Sequence, residues 1–555
     1  MIRSELEVTK TTPLAPRGLV TAEHPLGADV GAAILARGGN AVDAAVATAF
    51  AMTVVEPFMS TIAGAGTMLV YLAKRRETVV LDFNGVAPLA AHDGMYRLVG
   101  GIAQHALFAW PRVEDDANLF GHRSVAVPGS VRGLVLALER HGTMELADVV
   151  APAIALARDG FVVDWYLALM HARYLEEISA YPETARTYLK HGRFVYRPPS
   201  LEPGDQVTYP DLARSLEQIA RHGPDAFYRG AIADAIVEEL RRGGGLITKE
   251  DLEAYQVRVH SPLTGRYRGL DLAFAPGATG GITALEILNV LGQFPSARVG
   301  WRTVEGLDVR ARAVRRAFLD RLEHLGDPEF AKVDWDRLAS LSYAREVART
   351  LRTPPARDAA GVGHGRRGSG ADCTTQICVV DRHRNMVSLT HTAVSLFGSR
   401  VVVPDTGILL NNGMIWFDPE RGKPNSVAPG KRALVNMVPA LAFRQGQPYL
   451  TVGAPGGRKI VSAIPQVLAN VADGKGTLQQ AIEAPRLHSE GAELQVDDRV
   501  GDKTLDALRR RGHEVVPKHE TYSTLSFSRP IGIRITRGGL EAGLDPLGAA
   551  AASGH

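Results

Sequence analysis

Cysteine is nearly absent: the 555 residues contain two, Cys373 and Cys378. A disulfide framework is therefore excluded, and two thiols cannot close a zinc site by themselves. Excess charge of one sign is also missing. The net charge of +3 is small for this length, so no nucleic-acid partner is expected. No run of about 18 apolar residues occurs, so no membrane span is expected either. The longest apolar stretch, Ala41 to Val55, is interrupted by Asp43 and Thr48 and suits a buried helix. Met1 to Pro16 is polar and charged and lacks the apolar centre of a secretion signal, which sets the expectation of a cytoplasmic location. There is no internal repeat. Neither metal nor cofactor is expected. What remains, 45% hydrophobic and 22% charged residues, is an ordinary globular composition, long enough for a large core.

In chain order, the pattern alternates helical blocks with β-hairpins. Gly18 to Ala22 reads as extended, and His24 to Arg37 has helical spacing. Gly38-Gly39-Asn40 ends that helix and caps the next, over Val42 to Met52. Met68 to Leu72 and Val79 to Phe83 read as a hairpin. Ser130 to His141, Leu146 to Arg158 and Ala226 to Arg242 read as helices, and Thr248 as a helix cap. Val257 to Ala275 reads as strands turning at Gly265. The glycine loop Ala275 to Ile282 lacks both the P-loop ending and the G-x-G-x-x-G spacing, so it does not read as a nucleotide site. Val304 to Leu325 is a long helix whose Arg310, Arg312, Arg315, Arg316 and Arg321 are expected to form a solvated face. Further on, Tyr449 to Gly453 reads as a strand and Lys459 to Val471, Leu478 to Leu487 and Lys503 to Gly512 as helices. Val515-Val516 and Ile531 to Ile535 read as late strands. Such alternation favours sheets layered with helices.

One stretch carries chemistry. Thr353 to Gly370 is rich in Pro, Gly and Arg and reads as an exposed loop. It runs into Asp372-Cys373-Thr374-Thr375-Gln376-Ile377-Cys378-Val379-Val380-Asp381, where two extended strands joined by a turn at Arg382 to Asn385 begin. Two threonines suit the start of any strand. They also suit self-cleavage. If the Cys373–Thr374 bond breaks, Thr374 becomes an N-terminus whose own α-amine, with an ordinary pKa of about 7.7–8.0, can serve as base for its hydroxyl.

Thr374-Thr375 followed by Val379-Val380-Asp381, Asn385, Thr392, Phe397-Gly398, Gly407 to Asn412, Pro429-Gly430-Lys431-Arg432 and Pro455-Gly456-Gly457 resembles the γ-glutamyltransferase family of N-terminal-nucleophile hydrolases. Gly38 to Ala47 and Ser124 to Gly129 extend the likeness over nearly the whole chain. The resemblance implies an α+β fold, a four-layer αββα sandwich, with a large subunit of residues 1–373 and a small subunit of 374–555 that stay associated after cleavage. It implies Thr374 as nucleophile, Thr392 as its hydroxyl partner, and Gly456 and Gly457 as the oxyanion hole.

Departures from the family pattern share a direction. A γ-glutamyl head group carries a carboxylate and an ammonium. Asn84 stands where relatives have an arginine for the carboxylate. Asn412-Gly413-Met414-Ile415-Trp416 has no carboxylate for the ammonium. Val394 replaces an asparagine, Val435-Asn436 a serine pair, and Arg458 a serine. The pattern is similar to the cephalosporin-acylase and other amidohydrolase branches. Expected, then, is an amidohydrolase acting on a small acyl amide, with water or an amine as acceptor and with a more apolar pocket around Val394, Ile415 and Trp416. Arg458 either pairs with an acidic acyl group or sits at the surface. Two alternatives stay open: a γ-glutamyltransferase or glutathione hydrolase with relocated contacts, and an uncut, inactive binding protein.

Overall fold

Two antiparallel sheets lie face to face at the centre of the computed structural model, which describes residues 8–555 apart from 13, 104–109, 353–372, 475 and 525. The proposed exposed loop Thr353 to Gly370 thus lies outside the described residues. The strands are β1 (Leu19–Ala22), β2 (Ala65–Leu72), β3 (Glu77–Phe83), β4 (Arg258–His260), β5 (Leu263–Tyr267), β6 (Leu270–Phe274) and β7 (Thr375–Val380). They continue with β8 (Met386–Thr392), β9 (Ala440–Arg444), β10 (Gln447–Gly453), β11 (Ile531–Thr536), β12 (Gly539–Leu544) and β13 (Ala551–Gly554). One sheet runs β13-β1-β7-β8-β2-β3-β4 and the other β12-β11-β10-β9-β6-β5.

Three cores make these sheets into four layers. Helices α1 (Pro25–Ala36), α2 (Ala41–Val55), α3 (Ser130–His141) and α4 (Leu146–Asp159) cover the outside of the first sheet. Helices α5 (Gly281–Leu291), α6 (Val304–His324) and α7 (Lys459–Asp473) cover the outside of the second. Between the sheets, Leu69, Val80, Cys378, Val380 and Met386 meet Ala273, Leu441, Ile533, Leu540 and Ala542. The αββα arrangement follows from strand periodicity. On β7, Ile377 and Val379 point into the helix-side core while Cys378 and Val380 point between the sheets, so a continuous apolar run serves two buried faces. Both cysteines are buried and free. Among the described residues, no helix is long and apolar enough to cross a membrane.

Local signals hold at the helix starts. Asn40 and Asp43 form a reciprocal capping box on α2, and Thr248 does the same with Asp251, satisfying amides that the first turn leaves unpaired. Other readings fail for identifiable reasons. Ala226 to Arg242 is two helices, Asp225–Tyr228 and Ala231–Arg242, broken at Gly230. The turn expected at Gly265 lies at Arg268-Gly269, between β5 and β6, where both residues have positive φ. The helix expected over Leu478 to Leu487 ends at Glu483, two residues before Pro485.

The solvated arginine face on α6 is overturned at Arg310, Arg315 and Arg321, while the Arg316 side chain stays 41% exposed. Arg310 and Arg321 are each 1% exposed. Arg310 donates to Val299 O and Asn470 Oδ1, and Arg315 reaches Ser489 Oγ and Ala492 O. These guanidiniums tie α6 to its neighbours through carbonyl and side-chain oxygens, a role that the i, i+3/i+4 pattern does not distinguish from solvation.

Two buried histidines make stability acid-sensitive. His171, ringed by Phe397, Tyr188 and Tyr196, is pushed down to about 4 by burial. Burial pushes His391 down to about 3. The unfolded chain therefore binds more protons below about pH 6.5, so stability falls as pH drops from 6.5 towards these folded values, by about 2 kcal/mol per histidine at pH 5. Measured from pH 7.5 to 5, this histidine share of the stability should decline, and it is read as the difference in melting temperature between wild type and variant. His171→Phe should flatten that decline; an unchanged slope would reject the assignment for this residue.

Candidate active site

The register of the central hairpin builds the site. Thr375 pairs with His391 and Gln376 with Thr390, so Thr374, one residue before β7, stands opposite Thr392 at the end of β8. The turn that sets this register is tied by Asp381, which accepts from the amides of His383 and Asn385, while Asn385 Nδ2 donates back to it. By alternation, Thr374 lies on the inter-sheet side with Gln376 and Cys378.

Thr374 Oγ1 donates to Thr392 Oγ1 at 3.3 Å and is also directed at the carbonyl oxygen of Cys373. Thr392 Oγ1 donates to the same carbonyl at 3.1 Å and accepts from Val394 N at 2.8 Å. One hydroxyl thus touches both the candidate nucleophile and the carbonyl it would attack. The neighbouring thiol is not a rival nucleophile. Burial pushes Cys373 far above the ordinary thiol range, and its Sγ donates to Met59 O at 2.7 Å and Phe58 O at 3.0 Å.

Gly456 and Gly457 reach this point through the second sheet. Thr451 Oγ1 donates to Val387 O, and Ser388 Oγ donates to Val452 O. Gly453 packs on the Gln376 side chain. As β10 advances from 451 to 453, the partner positions on β7 retreat towards Thr374, so the loop beyond Gly453 is directed to the Thr374 end of β7. Both glycines have positive φ, 126° and 54°, and they lead into the N-terminus of α7. Among the described residues, no backbone acceptor takes either N–H. Free amides at a helix start are suited to a developing oxyanion. A Cβ on Gly456 would lie 2.6 Å from Ser528 Cα. Gly456→Ala should therefore displace the loop and lower kcat by about 10²–10³-fold, with a folded chain by circular dichroism. Wild-type turnover would reject an oxyanion-hole role for Gly456.

The substituted positions gather around the same centre. Val394, Ile415, Trp416, Val435 and Met437 form one buried apolar cluster. Val394 has φ 89°, a left-handed conformation costly for a β-branched residue, by about 1–3 kcal/mol. Its amide is held there by Thr392. Asn412 donates to Leu119 O and Ser395 Oγ and accepts from Ser395 N, so its amide ties loops together. Gly413 N donates to Asn411 Oδ1. Asn84 Nδ2 donates to Asp82 Oδ1 and Thr67 Oγ1, while its Oδ1 is buried without a partner. Asn436 Oδ1 accepts from Arg321, and its Nδ2 is also buried and unpaired. Arg321 otherwise donates only to Thr279 O and Val435 O, and burial, aided by Arg458, lowers it to about 9.

Arg458 is not at the surface. It pairs with Glu490 at 3.1 Å, the two side chains being 14% and 25% exposed. Burial works against ionisation of Glu490, yet Arg458 and His488 hold its carboxyl down to about 2. No group of three or more potential metal-ligating side chains is present among the described residues. Residues that the sequence did not mark also reach the site. Met437 joins the apolar cluster, and the carbonyls of Phe58 and Met59 grip Cys373. Nothing in their local pattern distinguishes them from core.

The gamma-glutamyltranspeptidase family model matches residues 27–555. This chain belongs to the γ-glutamyltranspeptidase family. It is 36% identical over 528 residues to a glutathione hydrolase proenzyme of Escherichia coli, covering 92% of this chain and 88% of the relative. It is 37% identical over 502 residues to the acylase ACY 1 proenzyme of a Pseudomonas species, covering 90% and 87%. Among solved structures, a cephalosporin acylase from Bacillus halodurans superimposes with a TM-score of 0.85 at 28% identity, covering 100% of this chain and 98% of that one. The γ-glutamyltranspeptidase family thus accounts for the four layers, and the chain is an enzyme of the hydrolase and acyltransferase kind found among these N-terminal-nucleophile proteins.

Proposed function

We propose that the chain is a self-processing N-terminal-threonine amidohydrolase. It is cut between Cys373 and Thr374 and then cleaves a small acyl amide through an acyl-enzyme on Thr374. The observation that carries this is the Thr392 hydroxyl, bonded to Thr374 Oγ1 and to the Cys373 carbonyl at once. It can orient the attacking oxygen and polarise the carbonyl. After the cut, the freed α-amine of Thr374 acts as base, Gly456 and Gly457 donate to the tetrahedral oxyanion, and water releases the acyl group.

The acyl pocket is the apolar cluster at Val394, Ile415, Trp416, Val435 and Met437. Its side chains carry no charge, the Asp82 carboxylate beside Asn84 is paired with Arg432, and the nearby charges Arg458 and Arg321 are already engaged. Acylases in the family therefore provide a better guide to the substrate than glutathione hydrolases do. Intact mass and N-terminal sequencing of the purified protein test the processing. Two associated chains, the smaller beginning Thr374-Thr375-Gln376, are expected. A single chain stable for days would reject it and favour an uncut binding protein.

A further inference from the structure

Between Met59 and the Gly456 loop lies a small, partly open cavity of about 10 Å³, lined by Glu23, Met59, Tyr166, Pro455, Gly456, Phe527, Arg529 and Ala549. That is room for about one water. Its position is set from two directions. Met59 supplies the carbonyl that accepts from Cys373 Sγ. Pro455 O accepts from Ser528 Oγ and Arg529 N, which clamps the Gly456 loop against the same space. Its polar lining is unpaired: Glu23 Oε1, Tyr166 Oη and Arg529 Nε are buried without hydrogen-bond partners. Glu23, Tyr166 and Arg529 are 4%, 3% and 4% exposed. Three buried polar groups left open around a water-sized space are costly unless something fills it.

We propose that this cavity holds the water that completes self-cleavage, with Glu23 and Tyr166 orienting it. The inference rests on the self-processing reading above. In the first step, Thr374 Oγ1 bonds to the Cys373 carbonyl carbon and the C–N bond breaks. The hydroxyl proton passes to the departing nitrogen, leaving an ester and a free amine. In the second, the water oxygen bonds to the same carbon and the ester C–O bond breaks. Glu23 takes one water proton and returns it to Thr374 Oγ1. Cys373 is left as a carboxylic acid, which ionises in solvent. Burial, opposed by Arg529 and Lys10, lifts the Glu23 carboxyl to about 8, so both of its protonation states are populated near neutral pH. Glu56 lies in the same buried group with both oxygens unpaired. Burial raises its carboxyl well above the usual range, but only Glu23 of the two lines the cavity.

The test is Glu23→Gln in the full chain, with Tyr166→Phe as a second variant that adds no charge or volume. Each should process at least about tenfold more slowly than wild type and accumulate the ester. Neutral hydroxylamine, which attacks esters directly, should then cut the uncut chain at Cys373, a response that a merely structural defect would not give. Processing of both variants at the wild-type rate would overturn the proposal. So would slow processing without hydroxylamine cleavage, because the block would then precede the ester. Failure of the self-processing reading is separately visible, since the wild-type chain would then remain whole. Thr374→Ala, which cannot form the ester, is the hydroxylamine-resistant control.

Discussion

Thr374→Ala will yield one uncut chain with no measurable amidase activity, a loss of at least about 10³-fold. The side chain is asked to act twice, first on the Cys373 carbonyl and later on the substrate. No neighbouring group can replace it. The Cys373 thiol is buried and held by two carbonyls. Thr375, the next hydroxyl along, points to the opposite face of the strand. Thr374→Ser should retain both functions at a reduced rate. The measurements are gel mobility, intact mass and acyl-anilide hydrolysis. A cleaved or active alanine variant would reject Thr374 as the nucleophile.

The second large effect is on substrate choice. Pentanoyl and γ-glutamyl p-nitroanilides place the same chain length beside the nucleophile, but the second adds an ammonium and a carboxylate. A desolvated charge without a partner costs several kcal/mol. Around Val394, Ile415 and Trp416 the pocket walls are apolar, and Arg458 is neutralised by Glu490. We expect kcat/KM to favour the pentanoyl compound by at least about 10²-fold. Equal efficiencies would mean that head-group contacts have moved elsewhere and would restore a γ-glutamyl substrate. Glutaryl p-nitroanilide, which keeps the carboxylate alone, would separate the two charges.

Local sequence determined much of this protein. The capping residues Asn40 and Thr248, the two-sided apolar strands and the turn around Asp381 depend on near neighbours and on a period of two, so they were readable in order. The strand that begins after Thr374 was readable for the same reason, whereas the proposed role of Thr374 came from the family resemblance and not from its near neighbours. The departures at Asn84, Val394 and Arg458 were also visible as residue types.

Only the tertiary structure decided what those residues meet. Arg321 and Arg310 have the spacing of a solvated face, but α6 lies between α5 and the C-terminal elements, so their charges end among carbonyls. Arg458 faces Glu490, 32 residues further along the chain. Asn412, placed by its motif in a binding role, spends its amide on Leu119 and Ser395. The cavity between Met59 and the Gly456 loop joins β1, α2, the helical region and the last loop, through Glu23, Met59, Tyr166 and Arg529. Periodicity reports which face of an element is buried. It carries no information about which distant polar atom lies across that face, and in this enzyme those pairings set the charge and the open space around Thr374, the proposed nucleophile.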